Sequence, residues 1–331
     1  MINIFFFTFF INLLIFLNYS RIARIYNVYD IPDDVRKYHK NRVPLLGGLI
    51  IYFNLFAFII FSYLDFFGNL IFQSKNEINL FFISVSLLFI LGFLDDKHNV
   101  SANKKLLIIS IAIYLLTLTD SNIIISNLNF SFSESIIFLN IFSIPITILC
   151  FLLFINAYNM LDGINCQAAF YTIFIFLIFI LNKVNYVFFS NLIIILLFFS
   201  WFNFKNKMFL GNSGSLLLSY IIGFFFIKSY NVNSTFYTDE IFLIMMIPGI
   251  ELLRLAILRI LNKKHPFKAD RNHIHHIIIS RKPLLFTFLV IQILLMLPFI
   301  LFIYFNNFFL VFFLSLAIYF ACIYYYSFNK N

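Results

Sequence analysis

Long apolar runs constrain this chain more than any other feature of its sequence. Eleven of them approach or reach the roughly 17 to 25 residues that an α-helix needs to cross a bilayer. They cover residues 2–18, 44–64, 78–94, 105–119, 136–157, 166–182, 186–203, 213–229, 241–261, 285–304 and 308–327. Because unpaired backbone groups are costly in lipid, we expect these runs to be helical. The sequence therefore predicts an all-α, polytopic membrane protein with about 10–11 transmembrane helices.

The composition argues against a soluble protein. Of the 331 residues, 62% are hydrophobic and only 11% are charged, whereas soluble domains carry about 25% charged residues. No polar segment long enough to form a soluble domain separates the runs, so we interpret residues 1–331 as one integral-membrane domain. The first run has no basic n-region before it and no small-residue cleavage site, which favours a retained span over a signal peptide.

The basic residues predict an orientation. If the N-terminus lies outside, the inner loops are 19–43, 95–105, 158–166, 203–212 and 262–284, together with the C-terminal tail. The inner loops and the tail, with Arg254 and Arg259 at the inner end of the ninth run, contain 20 of the 23 Lys and Arg residues, and the loops contain all six histidines. Positive charge marks cytoplasmic loops, so we expect the C-terminus to be cytoplasmic. Topology alone does not explain the histidines, and we therefore expect an active site on the cytoplasmic face.

An acidic pair, Asp95 and Asp96, closes the third run. Adjacent carboxylates at a membrane boundary repel each other, and a divalent cation or a cationic substrate group between them would relieve that repulsion. The alternative is a simple polar end to the helix. Lys105 follows ten residues later, where it could face a phosphate.

Two further inner loops carry small polar residues. The loop after the fifth run contains Asn159, Asp162 and Asn165, whose oxygens suit Mg²⁺ or a nucleotide, although Asn and Asp are also ordinary helix caps. The loop at 209–215 contains Gly211 and Asn212. It could expose backbone N–H groups to an anion or simply allow close helix packing.

The longest basic loop holds a histidine cluster. Arg271, His273, His275 and His276 lie within six residues, a pattern that suggests zinc or phosphate binding. No cysteine or carboxylate group supports a zinc cage, so phosphate or diphosphate is the better interpretation.

The first inner loop offers basic residues and a glycine pair. Arg36, Lys37 and His39 could bind a lipid phosphate, although such a stretch could also be only a surface loop. Gly47 and Gly48 at the start of the second run permit close backbone approach.

Taken in order, these segments resemble a known family. The RKYH…PLLGG, LGFLDD, NAYNMLDG, GNSGS and RNHIHH segments follow the order found in the polyprenyl-phosphate N-acetylhexosamine-1-phosphate transferases. The resemblance covers nearly the whole chain, and the His-Ile-His-His form is most similar to the undecaprenyl-phosphate N-acetylglucosaminyl branch (glycosyltransferase family 4).

The resemblance implies a reaction that depends on Mg²⁺ or Mn²⁺. Undecaprenyl phosphate and a UDP-N-acetylhexosamine would give an undecaprenyl-diphospho-sugar and UMP, at a bacterial inner membrane, as the first step of a lipid-linked glycan. The implied partners are these two substrates and the lipid bilayer, without nucleic acid; a homodimer stays an open alternative.

The resemblance also implies roles for individual residues. Asp95 and Asp96 would orient or activate the lipid phosphate, and Asn159 would be a metal ligand. The nucleotide-sugar would contact Asp162, Asn165, Lys105, Arg271, His273, His275 and His276. Arg36, Lys37 and His39 would hold the lipid phosphate.

Two departures from the family pattern leave other functions open. Asn212 stands where the family usually has a metal-binding Asp, and Asn165 stands where many bacterial members have Asp. The substitutions allow a weakened metal site, a different UDP-sugar or an inactive scaffold. A transporter is the remaining alternative, although it would require ionisable groups at mid-membrane, where Glu251 is the main example.

Overall fold

The structure is a computed structural model that describes residues 2–32, 41–63, 72, 74–266 and 270–328. In these residues helices dominate, and the only strands form two short antiparallel hairpins. The strands are β1 Tyr29–Asp30 paired with β2 Val43–Pro44, and β3 Asn127–Leu128 paired with β4 Ile137–Phe138. The helices are α1 Ile2–Leu17, α2 Tyr19–Tyr26, α3 Gly47–Tyr63, α4 Lys75–His98, α5 Ala102–Thr119, α6 Ser143–Leu161, α7 Gln167–Leu181, α8 Tyr186–Phe204, α9 Gly211–Asn233, α10 Thr238–Leu261, α11 Ile274–Ile279, α12 Leu284–Phe305 and α13 Phe308–Phe328.

Each of the eleven predicted runs contains one apolar helix, which confirms the all-α polytopic class. Among the described residues, eight helices are long and apolar enough to cross a membrane, and α1 with α2 would make a ninth if this pair, bent by 68°, is one span. The two remaining apolar helices, within α3 and α7, are shorter than 18 residues. The sequence therefore located the helices correctly, while length and composition alone identify fewer of them as spans.

The sequence predicts a break in the ninth run at Pro248 and Gly249, because proline and glycine commonly kink or end a helix. This prediction is wrong, since α10 is continuous from Thr238 to Leu261. Proline removes one backbone donor, which would leave the carbonyl four residues earlier without its helical partner. That carbonyl belongs to Ile244, and the hydroxyl of Tyr171 on α7 donates a hydrogen bond to it over 2.7 Å. The neighbouring helix thus replaces the missing bond, and α10 continues to Leu261.

Helix α9 forms the centre of the bundle. Every residue from Ser213 to Ser229 is buried, and α3, α4 and α6 pack along it. Glycines permit this close contact at its first turn, because a methyl group added at Gly48 or Gly92 would overlap Ser213. The close backbone approach predicted for Gly48 is confirmed.

The polar residues of the bundle gather at its two ends. Because α4 and α9 are antiparallel, Asp96 contacts the start of α9, whereas Glu77 near the start of α4 pairs with Lys228 near the end of α9, 2.6 Å away. We call the end that contains Asp95, Asp96 and Asp162 the aspartate end, and the end that contains Glu77 and Lys228 the opposite end.

Candidate active site at the aspartate end

The carboxylate of Asp96 binds the N-terminus of α9. It accepts hydrogen bonds from the backbone N–H groups of Asn212 (2.7 Å) and Ser213 (3.0 Å) and from the Ser213 hydroxyl (2.9 Å). Gly211 makes this contact possible, because its φ is +75° and an added methyl would crowd Asp96 Oδ2. The anion-binding helix start that the sequence suggested is thus occupied by a carboxylate of the protein itself.

Asp95 and Asp96 contact separate partners, whereas their adjacency in the sequence predicted that one cation would lie between them. Asp95 Oδ2 lies 2.8 Å from Lys105 Nζ on α5, while Asp96 points to α9. Successive residues of an α-helix project in different directions, so each carboxylate meets a separate partner. Lys105 therefore lies at the site as predicted, but in this structure it binds Asp95.

Asn159 joins the same group through α9. The Ser215 hydroxyl lies 3.0 Å from Asn159 Oδ1 and 3.2 Å from the backbone oxygen of Asn212. The last turn of α6 and the first turn of α9, separate in the sequence, thus meet.

Asp162 lies close to this group. Burial, and then the nearby negative charge of Asp96, raises the pKa of Asp162 from its ordinary 3.8 to about 7. Among the described residues, no cationic side chain forms a salt bridge with it within 4.0 Å. A carboxyl with a raised pKa beside a second carboxylate is an arrangement that a bound cation would stabilise.

The three predicted histidines lie together, with ring centroids 4.3 to 5.9 Å apart. They also reach the aspartates, because the His275 ring lies against Gly163 so closely that a methyl group there would overlap it. The loop containing Asp162 and Gly163 therefore connects the acidic group to the histidine cluster.

Burial keeps two of these histidines neutral. It lowers the pKa of His273, and it lowers that of His275 well below its ordinary value, with further lowering by the neighbouring histidines. His273 Nδ1 is buried without a hydrogen-bond partner among the described residues. These rings are therefore suited to form hydrogen bonds with a ligand. The positive charge needed to bind a phosphate must come from other groups.

Comparison with known proteins agrees with this arrangement. Residues 78–230 match glycosyl transferase family 4, and this segment contains all the aspartate and asparagine candidates. Over this segment the chain is similar to glycosyl transferase family 4.

Similar proteins align over most of the chain. A probable undecaprenyl-phosphate N-acetylglucosaminyl 1-phosphate transferase of Bacillus subtilis is 26% identical over 266 residues, which are 78% of this chain and 71% of the relative. Undecaprenyl-phosphate alpha-N-acetylglucosaminyl 1-phosphate transferases of Escherichia coli O157:H7 and Thermotoga maritima are 25% and 28% identical, over 84% and 76% of this chain and 75% and 73% of their own lengths.

The remaining predicted residues do not all lie within the acidic group or the histidine cluster. Asn165 Nδ2 donates to Asn206 Oδ1 over 2.8 Å, next to the loop before α9, and Arg271 is exposed beside the histidines. Arg36, Lys37 and His39 lie outside the described residues, so their predicted contact with a lipid phosphate stays a prediction.

Several residues that connect the loops of this site were not among those predicted from the sequence. Asn203 at the end of α8 accepts a hydrogen bond from Cys166 N (2.5 Å) and donates to Met208 O (2.8 Å), which joins two loops of the site. Arg259 binds Asp270 over 2.7 Å, and its Nη2 lies 3.5 Å from His273 Nε2. Their location near helix ends could have indicated these polar residues, but ordinary helix-capping residues occupy the same positions.

The carboxylate and amide oxygens at the aspartate end are suited to bind a hard divalent cation. Within the described part of the chain, no three His, Cys, Asp or Glu side chains form a metal cluster. The carboxylates of Asp96 and Asp162 and the amides of Asn159 and Asn212 instead supply oxygen atoms, and Mg²⁺ binds through a few carboxylates with other oxygen ligands and water. The fit rests on the chemistry of this donor set, in which Asp162 lies near Asp96.

Proposed function

We propose that this protein moves N-acetylglucosamine-1-phosphate from UDP-N-acetylglucosamine to undecaprenyl phosphate. The relatives above are named as undecaprenyl-phosphate N-acetylglucosaminyl 1-phosphate transferases, which supports the transferred group and the lipid acceptor. In the reaction, an oxygen of the lipid phosphate bonds to the β-phosphorus of the UDP-sugar, and the bond from that phosphorus to the bridging oxygen breaks. The products are an undecaprenyl-diphospho-sugar and UMP, which takes the bridging oxygen and its electron pair.

The observation that carries the proposal is the position of the Asp162–Gly163 loop. Asp162 lies near Asp96 on one side, while Gly163 contacts His275 on the other. A phosphoryl transfer requires that two anionic reactants be held in line and their charge neutralised, more than it requires a strong base. A site with acidic and amide groups on one side and histidines with basic residues on the other meets both needs.

The proposed roles follow from these contacts. Asp96, Asp162, Asn159 and Asn212 would hold Mg²⁺ or Mn²⁺, and such an ion would supply charge neutralisation at the diphosphate. Lys105 holds Asp95 and lies near enough to the acidic group to attract a phosphate. His273 and His275 would donate hydrogen bonds to the sugar nucleotide, since burial keeps them neutral, and exposed Arg271 would contribute positive charge.

We also propose that the aspartate end faces the cytoplasm of a bacterial cell, where UDP-sugars are available. Of the 23 Lys and Arg residues, only Lys75, Lys183 and Lys228 lie in the segments assigned to the other side. The contact between Lys228 and Glu77 locates one of these three at the opposite end.

The test is transfer of label to lipid. Membranes containing the protein are supplied with Mg²⁺, undecaprenyl phosphate and radiolabelled UDP-N-acetylglucosamine, and the organic phase is counted. We expect lipid-linked label from the natural chain and none from Asp96→Asn, with Asp120→Asn at the opposite end as the matched control. Absence of lipid-linked label with the natural chain would overturn the proposal, and full activity of Asp96→Asn would remove Asp96 from the site.

A further inference from the structure

The histidine cluster is held by residues that belong to other helices. We call residues 272–276, which include His273, His275 and His276, the histidine turn. It includes the first three residues of α11, which has only six residues, and a helix so short is not stable by itself in water. The position of the histidine turn must therefore come from contacts with neighbouring helices.

Two charged residues of α10 bind the backbone on both sides of His273. Glu251 Oε1 accepts a hydrogen bond from the N–H of Ile274 over 2.8 Å, and Arg254 Nη2 donates to the carbonyl of Asn272 over 2.7 Å. The two side chains also bind each other through two bonds of 2.8 and 2.9 Å. A bidentate Arg–carboxylate pair has little freedom to reorient, so it fixes the backbone that carries His273.

The last helix completes this network. The hydroxyl of Tyr319 on α13 donates to Glu251 and accepts a hydrogen bond from Arg254 Nε over 3.0 Å. Tyr319 is fully buried. Farther along, Arg281 Nη2 donates to the carbonyl of Ser327 near the end of α13 over 2.8 Å. Helix α13 carries none of the site candidates, yet it contacts both the pair that holds the histidine turn and the segment that follows α11.

Charged side chains within an apolar helix bundle are costly and are retained mainly where they serve a function. A purely structural ion pair is the simpler explanation, and Glu77 with Lys228 at the opposite end supplies an example for comparison. The Glu251–Arg254 pair differs because its remaining hydrogen bonds go to the backbone that carries a proposed ligand-binding residue.

We propose that Tyr319 is a positioning residue for the UDP-sugar site. Through Glu251 and Arg254 it fixes the histidine turn, so the final helix controls affinity for the sugar nucleotide without touching it. This inference rests on the function proposed above.

Steady-state kinetics with UDP-N-acetylglucosamine as the varied substrate provide the first test. Tyr319→Phe removes only the hydroxyl, and we expect KM to rise by about threefold to tenfold, the range for one lost hydrogen bond, while kcat stays within about twofold. Loss of binding shared by the ground and transition states has this signature. The matched control is Glu77→Gln, which should lower thermal stability and leave KM unchanged.

Hydrogen exchange provides a second test that does not require activity. In Tyr319→Phe, the amides of residues 272–276 should exchange faster than in the natural chain, whereas in Glu77→Gln they should not. An unchanged KM and unchanged exchange in Tyr319→Phe would overturn the inference, as would an equal rise in KM in Glu77→Gln. A natural chain that makes no lipid-linked product contradicts the proposed function, and the exchange rates then still decide whether Tyr319 positions the histidine turn.

Discussion

The pKa of Asp162 differs between the folded and the unfolded protein. Burial and then the charge of Asp96 raise its pKa to about 7, so the folded protein holds this proton more tightly than the unfolded chain. Such a carboxyl contributes stability that is fully present below pH 3.8 and is lost as the pH rises through about 7. Above that pH, the folded protein without a cation carries an ionised, partly desolvated carboxylate.

The first prediction concerns the change Asp162→Asn. In detergent without divalent cations, the variant should melt at a higher temperature than the natural chain, and the difference should be larger at pH 8 than at pH 5. Addition of Mg²⁺ at pH 8 should stabilise the natural chain and the control Asp120→Asn, but have little effect on Asp162→Asn. Equal stabilisation of all three proteins by Mg²⁺ would place the cation elsewhere.

The second prediction concerns Asn212, which stands where the family that this sequence resembles usually has an acidic residue. Its backbone N–H binds Asp96, so the side chain starts beside the acidic group. Asn212→Asp adds a charged ligand, which should reduce the Mg²⁺ concentration for half-maximal transfer by about threefold to tenfold. Rates measured over a Mg²⁺ titration test this, with Asn262→Asp as a control at the end of α10. An unchanged requirement would exclude Asn212 from the metal site.

Among the helices, α10 shows how a neighbour compensates for proline. The third prediction is that Tyr171→Phe lowers the free energy of unfolding by about 1 kcal/mol, because the carbonyl of Ile244 loses its hydrogen bond. In a Pro248→Ala background the same change should cost less, since residue 248 can then donate to Ile244 along the helix. Thermal or denaturant unfolding of the four proteins forms a double-mutant cycle. Additive effects would contradict this explanation of the unbroken helix.

The helices were more predictable than their contacts. Apolar runs locate α1 to α13 apart from α2 and α11, because burial in lipid follows from local composition. The partners of Asp96 lie 116 and 117 positions away, and those of Ile244 and Tyr319 lie on other helices. Such contacts depend on packing, so the sequence could indicate Asp95, Asp96 and the histidines as candidates but not that Asp96 binds α9 or that α13 holds the histidine turn.

Across the whole molecule, the two ends of the bundle differ in chemistry. At the aspartate end, polar loops from distant parts of the chain meet around the start of α9, while the opposite end has the Glu77–Lys228 pair and the Asp239 carboxylate bound to Ser131. The described helices between these ends are largely apolar. This separation is suited to chemistry at one membrane surface and differs from the mid-membrane ionisable pathway of a transporter.

The central claim is that the sugar and its phosphate are transferred together. It is tested most directly by supplying purified protein, Mg²⁺ and undecaprenyl phosphate with UDP-N-acetylglucosamine that carries ³H in the sugar and ³²P in the β-phosphate. Both labels should enter the organic phase in equal amounts, and UMP should be the only uridine product in water. Release of UDP with ³H alone in the lipid, or no label in the lipid, would contradict it.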